Sequence, residues 1–149
     1  MKRKREKGVT LIELAVVMAI VGIMALFMAP AIGEWLDNFR IRQAARDIAS
    51  TLQQAKMQAI STRTQRSVTF DTANNTYQIQ GGSPIQTPKG VSIPNTDFDA
   101  TGDAVQFNPN GTSSSATMND SIYINNTKGK QYRVIVTPSG NISMREGWT

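Results

Sequence analysis

The chain has 149 residues, no cysteine and no histidine, and a formal net charge of +5. The lack of cysteine excludes a disulfide framework, a cysteine-ligated zinc or iron–sulfur site and a thiol nucleophile. The lack of histidine removes the commonest general base and transition-metal ligand, which weakens any enzymatic reading.

Residues 1–8, MKRKREKG, hold five basic side chains against one acidic, whereas the remainder holds eleven against ten. Basicity confined to the first eight residues reads as a leader or targeting signal. With those residues removed, the overall charge does not ask for nucleic acid.

Residues 9–33 read VTLIELAVVMAIVGIMALFMAPAIG, almost wholly apolar, with Glu13 the sole charge. About 22 helical residues at roughly 1.5 Å each reach about 33 Å, enough to cross a bilayer core. The positive-inside rule keeps the leader cytoplasmic and sends everything after the span across the membrane. A secretory signal peptide cut at Ala29-Pro30-Ala31 is one competing reading, but the tract is longer than a usual signal core and contains a carboxylate. An ordinary membrane anchor and a buried core helix are the others. A carboxylate inside a membrane segment costs on the order of 2.5–3.5 kcal/mol and is a functional candidate by default. Glu13 wants a cationic partner, and the tract offers none. The amine released by a cut just before Val9 would serve.

Gly8 followed by Val9-Thr10-Leu11-Ile12-Glu13-Leu14 resembles the processing site of type IV prepilins and type II secretion pseudoprepilins. The resemblance implies that a membrane peptidase, the prepilin peptidase, cuts after Gly8 and methylates the new N-terminus at Val9. It also implies that Glu13 pairs with the N-terminal amine of a neighbouring subunit. Val9 stands where the family commonly has Phe. Further along, Pro30 removes one helical N–H and clashes with the preceding turn, so Gly22 and Pro30 are the expected positions of a helix kink. Gly and Pro are also simply frequent in membrane helices.

Residues 34–65 contain neither Pro nor Gly. Ile41, Ala45, Ile48, Leu52, Ala55 and Ala59 recur at spacings of three and four, which predicts an amphipathic helix with a narrow apolar stripe. Arg42, Arg46, Lys56 and Arg63 read as its solvated face. The expectation is one long helix from Val9 to about Arg63.

Residues 66–149 are rich in Thr, Asn, Ser and Gly, with short alternating runs. Residues 67–71 and 76–80 flank Thr72-Ala73-Asn74-Asn75, a hairpin pattern. Residues 91–93 and 104–108 are candidate strands, and residues 121–125, 131–137 and 141–144 read as a meander. About seven short strands resting on the helix stripe give an α+β fold with an antiparallel, β-sandwich-like head.

Phe107-Asn108-Pro109-Asn110-Gly111-Thr112, Lys128-Gly129-Lys130 and Thr137-Pro138-Ser139-Gly140 resemble the GspH/FimT branch of minor pseudopilins, with residues 81–103 unmatched. The resemblance implies a structural subunit of a type II secretion pseudopilus or type IV pilus. It would be single-pass in the bacterial inner membrane, with its head in the periplasm, and would then pass into the filament. Its implied partners are other pilins or pseudopilins through the N-terminal helix, the prepilin peptidase, and the secretion or pilus assembly platform, with no cofactor.

The alternative is a DNA-binding minor pilin for competence. Such pilins carry a Gly-Arg-x-Arg pattern where this chain has Gly140-Asn141-Ile142-Ser143. That leaves only Lys128, Lys130, Arg133 and Arg145 as scattered cations. Asp97, Asp99 and Asp103 share one loop-like stretch and could ligate calcium, but their spacing does not match an EF-hand. No nucleophile–base pair or phosphate loop is visible, and Gly81-Gly82 is only a turn signal.

Overall fold

The computed structural model describes residues 9–98, 102–114 and 120–147, and only the backbone of residues 26–32. The leader with Gly8, the carboxylate of Asp99 and the side chain of Pro30 lie outside the described residues.

Helix α1 spans Leu11–Thr62 and is continuous through Gly22 and Pro30. It ends where Arg63 turns left-handed, with φ 52°, a conformation that closes many helices. The hydroxyls of Ser61 and Thr62 fold back to donate to the Gln58 carbonyl at 3.1 and 2.7 Å in the last turn.

The chain divides into two compact units after Trp35. The second unit, Leu36–Thr149, holds the rest of α1 and two four-stranded antiparallel sheets. In chain order the strands are β1 Arg66–Asp71, β2 Thr76–Ile79, β3 Ile85–Gln86, β4 Val91–Thr96, β5 Ala104–Phe107, β6 Asp120–Asn126, β7 Gln131–Val136 and β8 Ile142–Glu146. One sheet runs β3-β2-β1-β5 and the other β4-β6-β7-β8.

The β1–β2 hairpin closes at the pair Asp71↔Thr76. Its turn is held by the Asp71 carboxylate, which accepts from the Asn74 backbone N–H at 2.9 Å and side-chain amide at 2.7 Å. Asn75 takes the left-handed conformation there, with φ 54°, which Asn tolerates better than most residues.

All six residues of the predicted helical stripe are buried. They share one core with Val68, Phe70, Val105 and Phe107 of the first sheet and Ile93, Ile122, Ile124, Val134 and Val136 of the second. Ala44, Ala45, Ala55 and Ala59 place small side chains along that line.

Among the described residues eight strands form, rather than about seven. The additional one, β3, has two exposed residues and so carries no periodic signal. Strand β4 runs on to Thr96 through Pro94, which the sequence-based boundary at residue 93 excluded. Strand β4 lies at a sheet edge and its register shifts between Ser92 and Asn95, so the missing proline N–H is accommodated at an irregularity.

Candidate functional site

In the N-terminal unit, Thr10 caps α1. Its hydroxyl accepts the Glu13 backbone N–H at 3.3 Å, and its carbonyl accepts the Leu14 N–H at 3.2 Å. Glu13 is therefore the third residue of the helix. A carboxylate there faces the positive end of the helix dipole and the unpaired first-turn N–H groups. Thr10-Leu11-Ile12-Glu13 has the S/T-x-x-E spacing of a capping box, a signal that sequence reasoning passed over by reading Glu13 only as a membrane-embedded acid. The Glu13 residue is exposed, and among the described residues its carboxylate has no ion-pair partner.

The side chains around this acid are equally uncovered. Leu11 and Ile12 are 85% and 72% exposed, and Leu14, Val16, Val17, Met18, Ile20, Val21, Ile23 and Met24 are exposed on every side of the helix. A contiguous apolar surface of this extent marks a surface meant to be covered. A Cβ built on Gly22 would meet nothing within 4 Å. Among the described residues, no helix is long and apolar enough to cross a membrane. The apolar tract of the sequence continues through residues 26–32, whose side chains are not among them.

In the head, the turn residues noted in the sequence converge. Gly140 takes φ +77° and Gly111 φ +82°. The two cross so closely that a Cβ on Gly140 would lie 2.0 Å from the Gly111 carbonyl oxygen. Lys56 of α1 donates its ammonium to the Gly140 carbonyl at 2.9 Å, and the Ser113 N–H donates to the Pro138 carbonyl at 3.0 Å. Lys56 is thus not a freely solvated side chain: it ties the helix to the β7–β8 turn.

A second tie runs through Arg42, whose Nε donates to the Tyr132 hydroxyl at 3.0 Å. That hydroxyl donates to Glu146 at 2.9 Å. Lys130 pairs with the other Glu146 oxygen at 2.8 Å. The bond from Lys130, followed by that from Tyr132, holds the Glu146 carboxyl below the usual carboxylate range.

Of the acidic loop, Asp97 and Asp103 are among the described residues, and each meets a different hydroxyl. The Asp103 carboxylate accepts from the Thr96 hydroxyl at 2.5 Å, and Asp97 faces the Tyr123 hydroxyl at 3.4 Å. Among the described residues, no three acids cluster as metal ligands would. Of the four cations weighed for nucleic acid, Lys130 is taken by Glu146, and Arg133 and Arg145 lie directly opposite each other on β7 and β8.

The family described as Type II transport protein GspH matches residues 44–140. The chain belongs to this family. The match takes in the helix stripe from Ala45 on, strands β1 to β7 and the Gly111–Gly140 crossing, and stops short of β8. It also covers residues 81–103, which carried no recognisable motif of their own. A second family, the Prokaryotic N-terminal methylation motif, matches residues 3–29, the stretch that holds Gly8, Val9 and Glu13.

Among curated proteins, the GspH-family chain is 26% identical over 91 residues to Type II secretion system protein H of Xanthomonas campestris pv. campestris. The aligned part covers 61% of this chain and 54% of that relative, so the chain spans about half the relative's length. Two solved structures share the fold. The type IV minor pilin FimU of Pseudomonas aeruginosa superposes with a TM-score of 0.59 at 16% identity, over 77% of this chain and 98% of that one. The minor pseudopilin EpsH from the Type 2 Secretion System of Vibrio cholerae gives 0.59 at 11% identity, over 74% and 99%. The α+β fold and the GspH/FimT resemblance read from the sequence therefore stand.

Proposed function

We propose that this GspH-family chain is a structural subunit, not an enzyme, of a type II secretion pseudopilus or a closely related type IV pilus. In this reading the prepilin peptidase cuts after Gly8, Val9 becomes the methylated N-terminus, and the apolar half of α1 packs among the same half of neighbouring subunits. Residues 9–33 hold the subunit in the inner membrane before assembly, with the head in the periplasm and the assembly platform drawing it into the filament.

The carrying observation is a helix end that is apolar on all sides and bears one exposed carboxylate in its first turn. Removing the leader takes away its excess positive charge, which would resist entry into an apolar bundle. Moving the helix from lipid to neighbouring helices changes little apolar burial, because both surroundings are apolar. An ion pair between Glu13 and a neighbour's amine then favours one stagger, whatever its net energy. Helix bending at Gly22 and Pro30 belongs to the same proposal, since both weaken the local helix.

The test is Glu13→Ala in the intact chain, followed by membrane fractionation and by cross-linking to other pilin-like subunits. Insertion persists, because a buried charge is lost, while incorporation into filaments falls. Incorporation at the wild-type level refutes the role of Glu13.

A further inference from the structure

Four cations of the head have partners among the described residues. Arg40 pairs with Asp37, Arg42 donates to Tyr132, Lys56 to a carbonyl and Lys130 to Glu146. Among the rest, Arg133 and Arg145 are set together by the strand register. Among the described residues neither reaches a carboxylate, and the Arg133 Nε is buried without a hydrogen-bond partner. Yet the register sets them face to face on adjacent antiparallel strands, where like charges repel. A buried guanidinium N–H without an acceptor adds a further cost. Both costs fall if an anion sits between the two side chains.

The surroundings suit one. Arg133, Ile135 and Thr137 of the β7 side and Asn141, Ser143 and Arg145 of the β8 side line a groove of about 290 Å³ on a single face of the hairpin. That face is opposite the one that carries Val134 and Val136 into the core. Hydroxyl and amide groups stand beside the guanidinium pair, and the buried Ile135 gives an apolar wall. Strand β8 is the last in its sheet, so the groove is open along one edge.

Guanidinium groups match carboxylates through paired, parallel hydrogen bonds. A nucleic acid backbone calls instead for a run of cations along its length. Here the next cation in sequence, Lys130, is bound to Glu146.

We propose that the outward face of the β7–β8 hairpin is a carboxylate-recognition groove, in which Arg133 and Arg145 together clamp an acidic side chain presented by another polypeptide. This concerns the head and stands apart from the role of Glu13.

The test uses the full chain in nonionic detergent micelles at near-physiological ionic strength, with a fluorescein-labelled oligoglutamate peptide as probe and fluorescence anisotropy as readout. Saturable binding is expected, weakened at least about tenfold by Arg145→Gln, weakened less by Arg145→Lys, and unchanged by Lys128→Gln. Arg145 is exposed on an edge strand, so its replacement leaves the core intact. Arg133→Gln gives the same loss, with far-ultraviolet circular dichroism confirming that it is folded. The proposal is overturned by absence of saturable binding, by indifference to Arg145→Gln, by competition from inorganic phosphate as strong as from the peptide, or by tighter binding of a single-stranded oligonucleotide.

Discussion

Replacing Gly140 by Ala tests the crossing of the β7–β8 turn with the segment that follows β5. The residue sits at φ +77°, where an L side chain costs about 1–2 kcal/mol. Its new Cβ would lie 2.0 Å from the Gly111 oxygen and 3.1 Å from the Gly111 carbonyl carbon. These are backbone atoms, so no side-chain rotation relieves the overlap. Separating the turns loosens the Lys56–Gly140 and Ser113–Pro138 hydrogen bonds, each contributing roughly 0.5–1.5 kcal/mol. The expected loss is about 3 kcal/mol, or a fall of about 10–15 °C in Tm for a head of this size. Gly129→Ala is the control. Gly129 has φ +79° and nothing within 4 Å of a built Cβ, so only the backbone cost of about 1 kcal/mol applies. Urea and thermal unfolding of residues 36–149, followed by circular dichroism, measure both variants. Equal destabilisation of the two refutes the crossing as a source of stability.

Two further outcomes follow from the same head. Leu52→Ala empties a fully buried site between the helix and the sheets and is expected to cost about 2–5 kcal/mol by urea unfolding; a change under about 1 kcal/mol contradicts the core described. Glu146 has its pKa lowered in the folded state from an ordinary value of 4.5, chiefly by Lys130. Its contribution is therefore present above that value and is lost as pH falls through the lower, folded one. Glu146→Gln should remove part of the acid dependence of stability and leave the alkaline side unchanged; an unaltered acid limb in a pH series of Tm measurements refutes the pairing.

Local patterns in the sequence carried the helix stripe and the hairpins because burial acts on them at short range. Spacings of three and four from Ile41 to Ala59 specify one helix face, and alternation in β1 and β5 specifies one sheet face. What escaped is set by distant partners. Lys56 looked like part of a solvated face because its acceptor lies 84 residues away. Gly111 and Gly140 each read as a turn glycine, but their contact arises only when two loops from different sheets meet. Arg133 and Arg145 looked scattered until the β7–β8 register paired them. Strand β3 was invisible because two residues make no period. The Thr10 cap was readable, since its spacing to Glu13 is local, yet the oddity of an acid in an apolar tract drew attention from it.

Where the mature chain starts decides whether Glu13 meets a neighbouring amine. Mass spectrometry of the N-terminal peptide from protein purified out of native membranes tests this directly. The expected result is a chain that begins at Val9 and carries one methyl group on its amine. A chain that retains residues 1–8, or one that begins near Ile32, leaves Glu13 without the neighbouring amine it is proposed to meet and contradicts the filament assignment.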